Sequence, residues 1–261
     1  MSNEIRFDNG AAYEQYMGLW SQLVGEAFLE WLDAAQSRRW LDVGCGNGAF
    51  TEQIAMRAAP ASITGIDPSE GMLSFARSRL ALREAQFQQG SAMALPFGDS
   101  SFDIAVMPLV IFFVPVPAQG VAEMARVVCP GGIVAAYSWD MIGGGFPYAA
   151  LREELQALGV MAPEAPNNDA SRLESKRELW TRAGLVDLET TSISVQRSFA
   201  DFDEYWKIIQ GGPSVSATLA TLTPGNAALL KERMRMRLPA DAGGRISYAA
   251  RANAIKGRVP A

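Results

Sequence analysis

Residues 41–50 read LDVGCGNGAF, an apolar segment that stops at three glycines spaced as G-x-G-x-G. A helical pattern of apolar residues begins at Phe50, directly after the last glycine. In α/β sheets, a strand, a glycine turn and a helix in this order bring the backbone close to a nucleotide-like ligand. Because this spacing differs from the G-x-G-x-x-G that seats a pyrophosphate, it indicates a ligand without a pyrophosphate.

The composition limits the chemistry that the chain can perform. Its 261 residues and 49% hydrophobic content fit one large α/β domain. It has no histidine, and so lacks the commonest general base and any histidine-dependent triad. Its two cysteines do not form a C-x-x-C pair, so we expect no metal site. The net charge of −5 argues against a nucleic-acid partner, because phosphate backbones attract basic surfaces.

The cysteines and the first residues indicate where the protein works. Cys45 lies in the glycine turn and Cys129 at the end of a predicted helix, so a disulfide is not expected. The polar start MSNEIRFD is no signal peptide, and prolines break the longest apolar run, 104–116. We therefore expect a cytoplasmic protein without a membrane partner.

Apolar periodicity predicts strands that alternate with helices across the first 140 residues. Strands are predicted at about 40–44, 62–67, 85–89, 102–107 and 133–139. Helices are predicted at about 13–35 with a break near Gly18, and at about 48–58, 69–82 and 117–128. This alternation favours a mainly parallel sheet that helices cover on both faces.

After Asp140 the pattern changes. The run Gly143, Gly144 and Gly145 is a candidate flexible hinge. Beyond it we predict helices at about 148–159 and 172–183, a long strand at 186–199, a helical block at 201–238 and a closing strand at 246–259.

Four motifs occur in order along the first half of the chain: LDVGCGNG at 41–48, GIDPS at 65–69, GSA at 90–92 continued by LPFGDSSFD at 95–103, and RVVCPGG at 126–132. Together they resemble class I S-adenosylmethionine-dependent methyltransferases, in particular the small-molecule branch near the ubiquinone and menaquinone C-methyltransferases. The resemblance implies an α/β, Rossmann-like fold with a seven-stranded, mainly parallel sheet whose last strand is antiparallel, helices on both faces and a helical lid.

The resemblance also implies how the chain is organised. It implies a single methyltransferase domain, 1–261, with a cofactor-binding core at 36–140. Beyond that core, where the resemblance is only architectural, we expect an N-terminal segment, 1–35, and insertions at 141–170 and 201–243 to form the helical lid.

The cofactor implied by the resemblance is S-adenosylmethionine, lying across the carboxyl ends of the first strands. Its amino-acid and sulfonium end would be lined by Asp42, Gly44, Cys45 and Gly46. Asp67 ends the second strand, where the family has an acid that accepts both ribose hydroxyls; a carboxylate can accept both. The simplest alternative for Cys45 is a small residue in a tight turn, and for Asp67 a helix cap.

The remaining cofactor contacts implied by the resemblance concern the adenine and the methionine. Pro68 and Met72 would flank the adenine, while Met107 and Pro108 would face the methionine. Ser91 stands where the family often has an acidic residue that binds the adenine amino group, and Ala92 would supply a backbone N–H. Ser91 therefore departs from the family pattern at one adenine contact.

Aromatic residues are the candidates for the acceptor side of the site, namely Tyr16, Trp20, Phe112, Phe113 and Trp139. Aromatic faces suit a sulfonium cation, but core packing explains the same pattern equally well. A base is needed only where the acceptor arrives protonated, and its candidates are Asp140, Tyr137 and Tyr148. Further lid candidates are Tyr205 and Trp206, and Arg233, Arg235 and Arg237 are expected in solvent unless one of them meets an anionic acceptor.

The function that these observations favour is methyl transfer from S-adenosylmethionine to a small organic acceptor. Such a transfer needs alignment and exclusion of water rather than a protein nucleophile, so the lack of histidine does little harm. One alternative is a protein that binds this cofactor without methylating, because fold does not fix function. Another is a nicotinamide-dependent oxidoreductase, which the glycine spacing disfavours. The oligomeric state stays open, although an exposed aromatic lid would offer a homodimer contact.

Overall fold

The computed structural model of the chain describes residues 14–161 and 163–261, so the part of the predicted lid before Glu14 lies outside the described residues. Seven strands form one sheet in the order β3-β2-β1-β4-β5-β7-β6. They are β1 (Arg39–Val43), β2 (Ser62–Asp67), β3 (Gln86–Gln89), β4 (Phe102–Pro108), β5 (Val128–Trp139), β6 (Val186–Phe199) and β7 (Ile246–Arg258). Strand β7 runs antiparallel to both β5 and β6, while the other pairs are parallel. This architecture confirms the predicted fold class.

Helices connect the strands and cover both faces of the sheet. They are α1 (Leu19–Leu32), α2 (Ala49–Arg57), α3 (Glu70–Ser78), α4 (Pro117–Val127), α5 (Ala149–Ala157), α6 (Leu173–Arg182), α7 (Phe202–Gln210), α8 (Pro213–Ala220) and α9 (Pro224–Arg237). A π-helical turn, Glu14–Gly18, leads into α1, and short 3₁₀ turns occur at Leu80–Leu82, Ile111–Phe113 and Asn168–Ser171. Within the described ranges, none of the helices has the length and apolar character that a membrane crossing requires.

Two apolar clusters lie on opposite faces of the sheet, which explains why the central strands are apolar throughout. Along β4, Ile104 and Val106 pack into one cluster, whereas Ala105 and Met107 pack into the other. Successive strand residues point to opposite faces, so both faces must be covered. Trp180 of α6 reaches across the second cluster, and its Nε1 donates to the Val134 carbonyl oxygen at 2.9 Å.

Two element boundaries differ from the sequence prediction by more than three residues. The helix expected at 69–82 ends at Ser78, because Arg79 takes an extended conformation, and a separate 3₁₀ turn follows. Strand β5 begins at Val128 instead of residue 133, since Val128 already pairs with Phe102 before a register shift in the ladder. The Pro130-Gly131-Gly132 segment therefore lies inside the strand.

The three glycines after Asp140 form a hydrogen-bonded turn. The Gly143 N–H donates to Asp140 Oδ1 at 2.8 Å, and the Gly145 N–H donates to the Asp140 carbonyl oxygen at 2.8 Å. Arg251 of β7 donates to Asp140 Oδ2 at 2.6 Å and also to the Gly143 carbonyl oxygen. These bonds tie the turn to the sheet, which does not fit the predicted flexible hinge.

Candidate active site

A cavity of about 1170 Å³ opens at the carboxyl ends of β1, β2 and β4. Asp42, Asp67 and Pro108 line it from those strand ends, and the glycine turn after β1 lines it beside them. On the other side, the wall comes from the π-helical turn, from α5 and from α8. Ligands of open α/β sheets collect at this edge, because the loops that follow parallel strands diverge there.

The glycine turn requires its glycines for two separate reasons. Gly44 and Gly46 have φ angles of +76° and +52°, in the left-handed region that favours glycine. A Cβ on Gly44 would also lie 2.5 Å from Cγ2 of Val110, which packs over the turn. The N–H groups of Gly44 and Cys45 both donate to the Ile66 carbonyl oxygen, at 2.7 and 3.0 Å. The turn is therefore fixed to β2, with its backbone facing the cavity.

Asp67 closes β2 and is held by the turns on either side of it. Its Oδ2 accepts from the Gly46 N–H and its Oδ1 from the Ser69 N–H, both at 2.9 Å. Burial raises the pKa of this carboxyl, although the two backbone donors oppose that effect. Each carboxylate oxygen keeps accepting capacity, so a pair of hydroxyls could bind here.

Asp42 is fully buried at the end of β1 and has one unused oxygen. Thr51 donates to its Oδ2 at 2.7 Å, whereas Oδ1 has no hydrogen-bond partner among the described residues. Burial raises the pKa of Asp42 to about 7. An unpartnered buried acid is costly, and a cation bound nearby would favour its ionised form. The position thus fits a ligand that carries positive charge.

The opposite wall is built around Tyr16, where three parts of the chain meet. Its ring stacks on Tyr148 with centroids 4.4 Å apart, and the Tyr148 hydroxyl donates to the Tyr16 carbonyl oxygen at 2.7 Å. A Cβ on Gly212, between α7 and α8, would lie 2.8 Å from the Tyr16 ring. The N-terminal segment, the start of α5 and the α7–α8 turn therefore close the cavity together.

A charged network that sequence reasoning missed ties the N-terminal segment to the glycine turn. Arg79 donates to the Asn47 carbonyl oxygen at 2.7 Å and to Glu52 at 2.6 Å, and it also pairs with Glu14. The Asn47 amide donates to Glu14 at 3.0 Å. The network spans 65 positions of sequence between Glu14 and Arg79. No motif or periodicity marks such a contact.

Comparison with known proteins identifies the central part of the chain. Residues 41–136 match the family model described as a methyltransferase domain. This stretch of the chain is therefore similar to a methyltransferase domain.

Two curated relatives support this assignment over part of their length. Demethylmenaquinone methyltransferase of Renibacterium salmoninarum is 33% identical over 156 residues, which is 58% of this chain and 61% of that protein. The biotin biosynthesis bifunctional protein BioHC of Cellvibrio japonicus is 40% identical over 123 residues, 47% of this chain and 24% of that protein. The chain thus spans between 24% and 61% of the length of these curated relatives.

A solved structure supports the fold across nearly the whole chain. Phosphoethanolamine N-methyltransferase 2 of Haemonchus contortus, solved with phosphomonomethylethanolamine and S-adenosylhomocysteine, superposes with a TM-score of 0.61 at 19% identity. The match covers 98% of this chain and 59% of that one. The methyltransferase fold therefore extends beyond the region that the family model matches.

The cavity collects most of the residues that the sequence singled out. The predicted residues in its wall are Asp42, Gly44, Cys45, Gly46, Asp67, Pro68, Met72, Pro108, Tyr16, Phe112, Phe113 and Trp139. Burial raises the pKa of the Cys45 thiol well above its usual range, which suits a small packing residue better than a nucleophile.

Four predicted residues do not line the cavity. Met107 is buried in the second apolar cluster, on the far face of β4, and Ala92 packs against the same cluster. The Ser91 hydroxyl accepts from the Met93 N–H at 3.2 Å and so serves its own turn. Trp20 is fully buried against Tyr248, with ring centroids 5.2 Å apart. Periodicity alone does not distinguish a wall residue from a core residue on the same helix.

The candidate bases and further lid residues fall into separate places. Tyr137 and Tyr148 line the cavity, and burial raises the pKa of Tyr148, so it stays protonated at neutral pH. Asp140 lies outside the wall, paired with Arg251. The remaining candidates also lie outside it: Tyr205 and Trp206 are buried in α7, Arg233 and Arg237 pair with glutamates of α5, and Arg235 pairs with Asp203. In the described ranges, no cluster of three or more Cys, Asp or Glu side chains could hold a metal ion.

Proposed function

We propose that the chain transfers a methyl group from S-adenosylmethionine to a small organic acceptor. The observation that carries this proposal is one cavity that joins the glycine turn, Asp67 and the unpartnered oxygen of Asp42 to an aromatic wall. The curated relative named demethylmenaquinone methyltransferase and the neighbour solved with S-adenosylhomocysteine support the same assignment.

The residues of the cavity suit the parts of this cofactor. We propose that Asp67 accepts the two ribose hydroxyls and that Asp42 lies at the sulfonium end beside Gly44, Cys45 and Gly46, because ionised Asp42 would meet the positive sulfur. Pro68 and Met72 would flank the adenine, and Pro108 would face the methionine.

The chemistry asks little else of the protein. The cofactor supplies a methyl carbon already activated by positive sulfur, so the chain must orient the acceptor and exclude water. We propose that segments 1–35, 141–170 and 201–243 form a lid that orients the acceptor and excludes water. The contacts of Tyr16 with Tyr148 and with Gly212 support this proposal, because each of these residues belongs to a different one of the three segments.

The acceptor and the setting follow from size and charge. A partly enclosed, aromatic cavity in a chain with a net charge of −5 favours a small, partly apolar acceptor over nucleic acid. The described cysteines, Cys45 and Cys129, are both free, which supports a reducing compartment and hence the cytoplasm.

Calorimetry tests the cofactor assignment. S-adenosylmethionine and S-adenosylhomocysteine should each bind with a micromolar Kd, whereas NAD should not bind, because the glycine turn lacks the pyrophosphate spacing. Absence of binding by both adenosyl ligands would contradict the proposal. With binding established, formation of S-adenosylhomocysteine in the presence of an acceptor library distinguishes a transferase from a protein that only binds the cofactor.

A further inference from the structure

Among the described residues, three arginines line the cavity, and two of them already have carboxylate partners. Arg57 pairs with Glu26 at 2.7 Å, and Arg79 pairs with Glu52 at 2.6 Å and with Glu14. Arg152 of α5 differs, because no carboxylate among the described residues comes within 4.0 Å of its guanidinium. Among the described residues that line the cavity, Arg152 is therefore the arginine without a directly paired carboxylate, although Glu164 also lies in the wall.

The surroundings of Arg152 hold its guanidinium in place without satisfying its charge. Its Nη2 donates to the Pro163 carbonyl oxygen at 2.7 Å, and the guanidinium lies 5.0 Å from the centre of the Phe146 ring. Burial lowers the pKa of Arg152, although the nearby Tyr16 and Glu164 oppose that effect. A guanidinium has five N–H donors in a planar fork, so its remaining donors could bind a planar anion in a bidentate manner.

We propose that Arg152 binds a carboxylate of the methyl acceptor, so that the substrate class is small carboxylic acids with an apolar body. This inference rests on the function proposed above. The aromatic and aliphatic wall beside Arg152, formed by Tyr16, Phe146, Tyr148 and Leu155, accounts for the apolar body. A single charge suits the site better than a phosphate dianion, because Glu164 also lines the cavity and its charge acts on Arg152.

The test compares acids with their own amides in the presence of saturating S-adenosylhomocysteine. The probes are phenylacetate, indole-3-acetate and hexanoate, each paired with its primary amide, together with phenyl phosphate. Calorimetry of the wild-type protein should show at least one acid binding about tenfold or more tightly than its amide. Arg152→Met should remove that preference by weakening the acid alone, and Arg152→Lys should retain part of it, since lysine keeps the charge but loses the fork.

A double variant provides the matched control. Glu26→Gln with Arg57→Met removes another cavity arginine together with its partner, so the net charge of the wall is unchanged and the acid preference should persist. Equal binding of acids and amides by the wild type, including no binding of either, would overturn the inference. So would an acid preference that survives Arg152→Met, or tighter binding of phenyl phosphate than of phenylacetate. If the wild-type protein does not bind S-adenosylhomocysteine at all, that result would instead contradict the proposed function.

Discussion

Asp67 is the residue on which the cofactor half of the site depends most. Its two carboxylate oxygens accept from the N–H groups of Gly46 and Ser69. In Asp67→Asn, one carboxylate oxygen becomes an amide nitrogen. This nitrogen would face the N–H of Gly46 or of Ser69, and it cannot accept a hydrogen bond from a ribose hydroxyl. We expect this variant to weaken binding of S-adenosylmethionine by about 1.5–3 kcal/mol, as measured by calorimetry, because charge-assisted hydrogen bonds are lost.

Ser69→Ala separates that effect from a distortion of the turn. The Ser69 hydroxyl caps α3 by accepting from the Met72 N–H at 3.3 Å, and the variant leaves the Asp67 carboxylate in place. It should cost about 0.5–2 kcal/mol of stability while leaving cofactor affinity nearly unchanged. An equal loss of affinity in both variants would mean that the turn, and not the carboxylate, determines binding.

Asp42 makes a distinct prediction about pH. Because burial raises its pKa to about 7, the carboxyl is mostly neutral at pH 6 and mostly ionised at pH 8. Only the methylated cofactor has a positive sulfur, so the ratio of the Kd of S-adenosylhomocysteine to that of S-adenosylmethionine should rise by up to about tenfold over this range. In Asp42→Asn the ratio should stay constant. A constant ratio in the wild type would place the sulfonium away from Asp42.

At the residue scale, the sequence best predicts position where a motif fixes both backbone and side chain. Asp42, Gly44 and Asp67 all line the cavity, because strand ends and glycine turns leave clear marks in the sequence. The pairing of Glu14 with Arg79 and the bond of Arg152 to the Pro163 carbonyl oxygen were not predictable. Both arise from contacts between separate segments, and no local pattern encodes their partners.

At the scale of elements, helices α1 and α2 cross closely at Gly25. A Cβ there would lie 2.1 Å from Oε1 of Gln53 and 3.0 Å from the Phe50 ring, and Gln53 is held by its bond to the Gln22 carbonyl oxygen at 2.9 Å. Overpacking costs about 1–3 kcal/mol, which exceeds the gain of up to about 1 kcal/mol that alanine brings inside a helix. We therefore expect Gly25→Ala to lower the free energy of unfolding, measured by urea denaturation.

Gly225→Ala is the matched control, because both glycines are helical and only their neighbours differ. No atom lies within 4 Å of a Cβ added at Gly225, in the first turn of α9. This variant should be neutral or more stable by up to about 1 kcal/mol. A Gly25→Ala protein as stable as wild type would show that α1 and α2 can separate without penalty.

The element boundaries show which local signals can be trusted. Glycines and prolines marked the ends of β1 and α2 to within a residue, since these residue types directly restrict the backbone. The sequence did not predict that helix α3 ends at Ser78. Arg79 is extended there, and its side chain donates to the Asn47 carbonyl oxygen in the glycine turn, a contact that is distant in sequence. The sequence also did not predict that β5 begins at Val128. Val128 pairs with Phe102 of β4, and this pairing keeps the strand continuous through Gly131 and Gly132.

At the scale of the whole molecule, the order of strands could be inferred only through the family resemblance. Alternating strands and helices predict a parallel sheet, but not the position of each strand in it. Nor could the sequence show that the N-terminal segment, the start of α5 and the α7–α8 turn meet at Tyr16. Their meeting depends on how the helices pack after folding.

Two buried ionisable groups give the whole molecule an unusual dependence of stability on pH. Asp42 has a folded pKa of about 7, above its unfolded value, so between about pH 4 and 7 the folded state binds more protons and stability falls as pH rises. Lys176 is fully buried, donates to Ser138 at 2.6 Å, and has a pKa lowered to about 7 by burial. From about pH 7 to 10 the unfolded state therefore binds more protons, and stability rises with pH.

The two groups should be separable by comparing each variant with wild type. The free energy of unfolding of Asp42→Asn, relative to wild type, should increase between pH 5 and 7, by at most about 1.4 kcal/mol per pH unit. That of Lys176→Met, relative to wild type, should decrease between pH 7 and 8.5, because wild type alone gains stability there by releasing a proton. Urea denaturation at half-unit steps of pH measures both slopes. Parallel curves for wild type and Lys176→Met would mean that Lys176 stays charged in the folded protein, and that its bonds to Ser138 and to the Ala170 carbonyl oxygen, at 2.8 Å, solvate an ammonium group.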